Sequence, residues 1–174
     1  MEKVIQVLNR MQADGVVEKY AIGGGIAFVR YLEPYETDDI DVFISPVTVG
    51  QMGLVSLEPI YTYLKNLGYE AVKEGVVVEG WLVQFVPAFN SLQEEAVEKA
   101  HRVPFGKEYT YLFSAEHLAA ELLRSGRPHD HARTVALVES DQMEMKAFRE
   151  IINRHGLAKI WKKFVIRFEL EEHE

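Results

Sequence analysis

Hydrophobic and polar positions along the chain alternate between two periods. Val4, Ile5, Leu8 and Met11 recur at helical spacing and predict a helix over residues 2–12. Val17 to Ile22 is a short apolar run of strand character that stops at Gly23-Gly24-Gly25. A short helix from Ile26 to Leu32 follows, closed by Glu33-Pro34-Tyr35. Asp39 to Ser45 alternates strictly, with Ile40, Val42 and Ile44 on one strand face and Asp39, Asp41 and Phe43 on the other. Helical spacing returns over residues 57–67, with Pro59 confined to the first turn and Gly68 as the stop. Tyr69–Val78 and Trp81–Val86 read as two strands joined at Glu79-Gly80. Ser91-Leu-Gln-Glu94 has the pattern of a capping box opening a short helix, and Tyr109–Phe113 reads as a last strand.

From Ser114 onward the pattern is helical. Ser114 caps a segment that runs to Ser125 and stops at Gly126. A second helix is expected over about 130–139, a third from the capping box Asp141-Gln-Met-Glu144 to about Asn153, and a fourth from Leu157 to Phe168. The acidic end, Glu169 to Glu174, is expected to fray. The predicted fold class is α+β, with α/β character in its first part. A small mixed sheet flanked by helices over residues 1–113 is followed by a helical lobe over residues 114–174 packed on it. There is no internal repeat and no low-complexity segment.

Composition narrows the function classes. With 174 residues and 48% hydrophobic side chains the chain can bury a sizeable core, which excludes disordered and fibrous classes. No apolar run approaches the roughly 18–20 residues that span a bilayer. The N-terminus has no basic region followed by an apolar stretch, so no membrane partner and a cytoplasmic location are expected. There is no cysteine, which excludes disulfides, thiolate metal sites and thiol nucleophiles. A net charge of −8 argues against general nucleic-acid binding. The charge is uneven: residues 146–167 carry seven basic side chains against Glu150, a local +6. That stretch reads as a solvated helix face, with a docking surface for an acidic partner or an RNA backbone as the sharper alternative.

The candidate chemistry sits in Tyr20-Ala-Ile-Gly-Gly-Gly-Ile-Ala-Phe and Thr37-Asp-Asp-Ile-Asp-Val-Phe-Ile. Asp39 and Asp41 lie two apart on a strand, so both carboxylates leave one face and can share a hard cation. Asp38 points to the opposite face and reads as a strand-edge residue or a cap. The glycines stand between a strand and a helix, where backbone without Cβ atoms approaches a phosphate closely and free helix N–H groups meet it. A phosphate cradle beside paired carboxylates is the machinery of phosphoryl and nucleotidyl transfer.

On these residues the chain resembles the DNA polymerase β-like nucleotidyltransferases. It looks most like the abortive-infection type and the minimal nucleotidyltransferases of prokaryotic toxin–antitoxin systems. Gly24-Gly25-Ile26-Ala27-Phe28 followed by Asp39-Ile40-Asp41 carries the resemblance, and Ser125-Gly-Arg-Pro-His-Asp130 is similar to a later family motif. The resemblance implies Mg²⁺- or Mn²⁺-dependent transfer of a nucleoside monophosphate from an NTP to a hydroxyl of RNA, protein or a small molecule. Asp39 and Asp41 would be catalytic residues and metal ligands. Gly24, Gly25, Thr37, Arg127 and Asp130 would contact the nucleotide, with Arg124 and Arg133 near the triphosphate. A small cognate partner protein is also implied. The family places a third carboxylate where this chain has Gln84, which can offer a carbonyl oxygen but neither charge nor a base. The alternative reading is therefore a catalytically silent nucleotide- or partner-binding module on the same scaffold.

Other residues read more plainly. His129-Asp130-His131 is a helix-start cap rather than one cation's ligand set. His101, His117 and His155 read as surface or boundary residues. Phe85, Phe89, Phe105, Tyr109, Tyr111 and Phe113 are expected in the core, with a base-stacking platform as the alternative. Ser45 and Ser91 lack the partners of a nucleophile triad.

Overall fold

The structure, a computed structural model, describes residues 1–32, 37, 39–45 and 56–170. Eight helices and seven strands occur among them. In chain order these are α1 (Glu2–Ala13), β1 (Tyr20–Ile22), α2 (Gly24–Tyr31), β2 (Asp39–Ile44), α3 (Glu58–Asn66), β3 (Glu70–Val72), β4 (Gly75–Val78) and β5 (Trp81–Pro87). Then follow α4 (Ser91–Glu98), β6 (His101–Phe105), β7 (Glu108–Leu112), α5 (Ala115–Ser125), α6 (Pro128–Val138), α7 (Met145–Arg154) and α8 (Ala158–Phe168). The strands form one mixed sheet in the order β3-β4-β5-β2-β1-β7-β6. β2 lies antiparallel to β1 and parallel to β5, and β1 runs parallel to β7. The mixed α+β class expected from the pattern is the one observed.

The alternation along β2 divides the core in two. Ile40, Val42 and Ile44 are buried in a cluster with Val4, Leu8 and Met11 of α1 and Ile60 and Leu64 of α3. On the other face Phe43 joins a cluster formed with α2, α4, α5, α7 and α8. Phe43 and Phe113 pack with ring centroids 4.6 Å apart, and both press on Gly23, where a Cβ would fall 2.6 Å from Phe43 Cε2. The helices of residues 115–168 thus share one core with the sheet.

Several local expectations differ from the structure. The expected strand Tyr69–Val78 is a hairpin, β3 and β4, because the chain reverses at Lys73-Glu74 and Val72 pairs with Gly75. Asn90, not Ser91, caps α4: its side chain accepts from the Gln93 N–H at 3.0 Å. Glu144 is the N-cap of α7 without a side-chain cap, and its own N–H donates to Glu116 of α5 at 2.9 Å. The glycine helix starts two residues early, at Gly24. Ser114 does cap α5, and Gly126 ends it in the left-handed conformation at φ 63°. The break expected at Glu33-Pro34-Tyr35 lies outside the described residues, as do Asp38 and residues 171–174.

One ionic hub fixes α5 and α7 against the first part of the chain. Glu95 of α4 accepts from Arg154 Nε (2.9 Å) and a second Arg154 nitrogen (2.6 Å), from Lys99 (2.9 Å) and from His155 (2.7 Å). His117 of α5 stands 3.4 Å from the same carboxylate and 2.8 Å from Ser114 Oγ. His117 is buried, contrary to the boundary position expected of it, because it packs beneath this hub.

The Arg154 guanidinium, with Lys99 and His155, holds the Glu95 carboxyl well below the usual carboxylate range. A depressed native pKa stabilises the fold above the unfolded value and is lost as pH falls through it. Glu95→Gln should therefore lower unfolding free energy at pH 7 by about 1.5–3 kcal/mol. In denaturant titrations the gap to wild type should narrow below about pH 4.

Candidate active site

The site is built where β1 hands over to α2. The antiparallel ladder pairs Ile22 with Val42, and the next N–H, that of Gly23, donates to the Asp41 carbonyl at 2.9 Å. That bond brings the glycine turn against the carboxylate strand. Gly24 has φ +54°, a conformation that disfavours a side chain, and a Cβ there would overlap Asp41 Oδ2. A Cβ on Gly25 would fall 2.6 Å from Thr37 Oγ1. Both glycines are therefore required by neighbouring side chains as well as by the turn. The first N–H groups of α2 have no intrahelical partner and open beside these carboxylates.

Asp39 and Asp41 both line a cleft of about 650 Å³. Gln84 of β5 stands in register with Asp41 on the parallel neighbour strand. Its Nε2 makes a long 3.4 Å contact with Asp39 Oδ2, while Thr37 Oγ1 donates to Asp39 Oδ1 at 2.9 Å. Thr37 thus supports Asp39 rather than lining the cleft. Burial, and then the like charge of Asp39, push the Asp41 carboxyl up to about 6, against the opposing pull of Arg127 and Arg133.

The far wall comes from α5 and the start of α6. Arg127, the N-cap of α6, lines the cleft and is exposed. Asp130 is 4% exposed: it accepts from Ser125 Oγ at 2.5 Å and stands 3.2 Å from His129 and 3.7 Å from Arg133. It lies in the first turn of α6, where the helix dipole favours a carboxylate. Asp130 therefore orders the cleft wall through its neighbours. Arg124 also reaches the cleft, but Glu121 binds it at two nitrogens, 2.7 and 2.8 Å. The i,i+3 spacing of these two residues on a helix is the sequence signal that could have shown this pair. His131 turns away and packs on Phe164 and Phe168, so His129-Asp130-His131 splits in the way expected of a helix start.

Sequence reasoning misplaced one cleft residue. Phe89, expected in the core, is 71% exposed and lines the cleft, because β5 ends at Pro87 and the chain turns outward before Asn90. Phe105 and Tyr109, on the edge hairpin β6–β7, are also exposed, whereas Phe85 and Phe113 are buried.

The donors facing the cleft are hard oxygens carrying two charges, with an amide from Gln84. Among the described residues no group of three or more His, Cys, Asp and Glu is arranged to hold a metal. Such a pair suits Mg²⁺ or Mn²⁺ held jointly by carboxylates and substrate phosphates, and does not suit a cation that demands an all-protein cage. Among the described residues no helix is long and apolar enough to cross a membrane.

No protein-family model matches the chain, and no curated protein sequence matches it. Among solved structures, an antigenic nucleotidyltransferase-like protein from Paracoccidioides brasiliensis aligns over 91% of this chain and 90% of its own. The TM-score is 0.52 and the identity 17%. ANT(2″)-Ia in complex with adenylyl-2″-tobramycin aligns over 94% of this chain and 98% of its own (TM-score 0.45, 15% identity). A solution structure of the antibiotic-resistance factor ANT(2″)-Ia aligns over 97% and 92% (TM-score 0.44, 16% identity). The first of these likenesses shows that the chain has a nucleotidyltransferase-like fold.

Two outcomes follow from the glycine–carboxylate contact. Gly24→Ala should lower stability by about 1–3 kcal/mol through backbone strain, with an added loss from displacing Asp41, read as a fall in melting temperature. A raised carboxyl pKa stabilises the fold only at low pH, and that stability is lost as pH rises through about 6. Asp41→Asn should therefore be more stable than wild type at pH 8 in chelator, by about 1–3 kcal/mol, read as a higher melting temperature. The advantage should vanish below about pH 4.

Proposed function

We propose that the chain binds an NTP with a divalent cation in this cleft and transfers its nucleoside monophosphate to an acceptor hydroxyl on RNA, protein or a small molecule. One observation carries the reading: the α2 N-terminus meets the Asp41 carboxylate at Gly24, in the cleft that Asp39 also lines. In this reading Asp39 and Asp41 hold the cation, and the free N–H groups at Gly24 and Gly25 take the β- and γ-phosphates. A Mg²⁺ or Mn²⁺ ion there would offset charge on the triphosphate as the α-phosphorus is attacked. Arg127 and Arg133, on the facing wall, offset charge on the departing pyrophosphate. The acceptor oxygen bonds to the α-phosphorus as the bond from that phosphorus to the pyrophosphate oxygen breaks. The hydroxyl proton passes to water, because the amide of Gln84 cannot take it.

The register of Gln84 with Asp41 favours a second reading. The position beside the carboxylate pair has neither a third charge nor a base, so the cleft could bind nucleotide without turnover. The motif resemblance of residues 24–28 and 39–41 further supports a role in a prokaryotic toxin–antitoxin or abortive-infection pair with a small partner protein. A neighbouring gene for such a partner is the observation that tests this role.

Calorimetric titration of Mn-ATP should show binding to wild type that is weakened about tenfold or more in Asp41→Ala, one of two charged ligands being lost. Equal affinities, or binding to neither, would contradict the assignment. With labelled NTPs and RNA, or the protein itself, as acceptor, transfer by wild type should be slow and abolished in Asp39→Ala. Gln84→Glu should raise it, since an absent general base costs about 10²–10⁴ in rate. Nucleotide binding with no transfer by either protein would select the silent module.

A further inference from the structure

We propose that Phe89 is the acceptor platform of this cleft, on which the base of a nucleoside stacks so that a ribose hydroxyl faces the bound nucleotide. The inference rests on the reading of the cleft as a nucleotidyl-transfer site. A nucleoside, free or at the 3′ end of an RNA, is the substrate class it names.

The first support is position across the sheet. The order β5-β2-β1 places Gln84 and the chain leading to Phe89 on one side of Asp39 and Asp41, and the glycine turn on the other. If the triphosphate tail lies over Gly24, the pyrophosphate departs toward β1 and α2. In-line displacement then requires the attacking oxygen to arrive from the β5 side. Phe89 follows β5 on that side and lines the cleft together with Gln93.

The second support is how the ring is displayed. A single exposed phenylalanine needs no explanation in general. This one is mounted on a fixed stretch of backbone. Gln93 is 3% exposed; its Oε1 accepts from the Phe89 N–H at 3.2 Å and its Nε2 donates to Glu121 at 2.9 Å. Its own N–H is bound by Asn90, and Glu121 in turn grips Arg124. The chain on either side of Phe89 is held from α4 and α5, while the ring itself remains 71% exposed at the cleft. A large apolar face kept in water by such a network is poised for a ligand.

The third support selects the kind of ligand. The polar groups beside Phe89 bind one another: both ends of the Gln93 amide are used, and Glu121 and Arg124 satisfy each other. Recognition by a fan of hydroxyl contacts, as a polyhydroxylated sugar needs, is not on offer at that rim. A ring face is, and an aromatic platform takes any base because every base has a π-face.

Saturation-transfer NMR with the folded full chain tests the proposal. The donor site is filled with Mg²⁺ and α,β-methylene-ATP, which cannot transfer, and either adenosine or the RNA tetranucleotide AAAA is added. Saturation of base protons is expected for wild type, retained in Phe89→Tyr and weakened about 5- to 150-fold in affinity in Phe89→Ala. Affinity for the ATP analogue, measured separately, should be the same in all three proteins. Binding of adenosine identifies a free nucleoside as the acceptor, and binding of the tetranucleotide alone identifies an RNA end. Normal binding of the analogue with no second ligand bound, or with equal binding by Phe89→Ala, overturns the platform and leaves the donor site standing. Loss of analogue affinity in Phe89→Ala would assign the ring to the donor base and overturn the acceptor role. Failure of wild type to bind the analogue would overturn the transfer reading and the acceptor role with it.

Discussion

The structure turns on one hydrogen bond and the close approach it imposes. The Gly23 N–H donates to the Asp41 carbonyl at 2.9 Å, extending the β1–β2 ladder by one residue into the glycine turn. Everything in the cleft is set by that register. It seats the Asp41 carboxylate against Gly24, at a backbone conformation that glycine adopts without strain. It points the first turn of α2 at the strand that bears both carboxylates. The aromatic pair Phe43 and Phe113 closes over Gly23 from beneath, so the turn is fixed by packing as well as by backbone. A slip of one residue between β1 and β2 would turn Asp39 and Asp41 into the apolar cluster and expose Ile40 and Val42.

The electrostatics of the cleft complement this geometry. Burial first, and then the like charge of Asp39 on the same strand face, push the Asp41 carboxyl up to about 6. In the proposed reading a bound cation would relieve that cost, with a triphosphate completing its coordination. On the facing wall, buried Asp130 holds Ser125 and stands beside Arg133, keeping a cationic surface opposite the carboxylates. The Glu95 hub serves the same end from a distance, because it fixes α5, which carries that wall, to α4 and α7. Gln84, in register with Asp41, lines the same cleft and adds an amide where a third carboxylate would add charge.

The strand–glycine–helix–strand core of the site was legible in the sequence because its signals are local. Period-two alternation set the faces of β2, and consecutive glycines marked the turn. The family resemblance put Gln84 beside the carboxylates, and the structure sets it in register with Asp41. What escaped was set by partners far along the chain. β6 has no alternation to read and contains Pro104; it is a strand because β7 pairs with it. The Glu95 hub joins residues 59 and 60 positions apart, and no periodicity reports such a meeting. Phe89 looked like core by residue type, and only the end of β5 at Pro87 explains why it faces the cleft. Arg124, expected near the triphosphate, is instead bound by Glu121 three residues earlier on the same helix face.

The Gly24–Asp41 contact is proposed as a joint site for a divalent cation and a triphosphate. A crystal structure of the wild-type chain with Mn²⁺ and a non-transferable ATP analogue tests it most directly. The expected result is an anomalous manganese peak between the Asp39 and Asp41 carboxylates and the phosphates, with the triphosphate tail on the backbone of Gly24 and Gly25. Manganese bound elsewhere, or the nucleotide seated away from that turn, would contradict it.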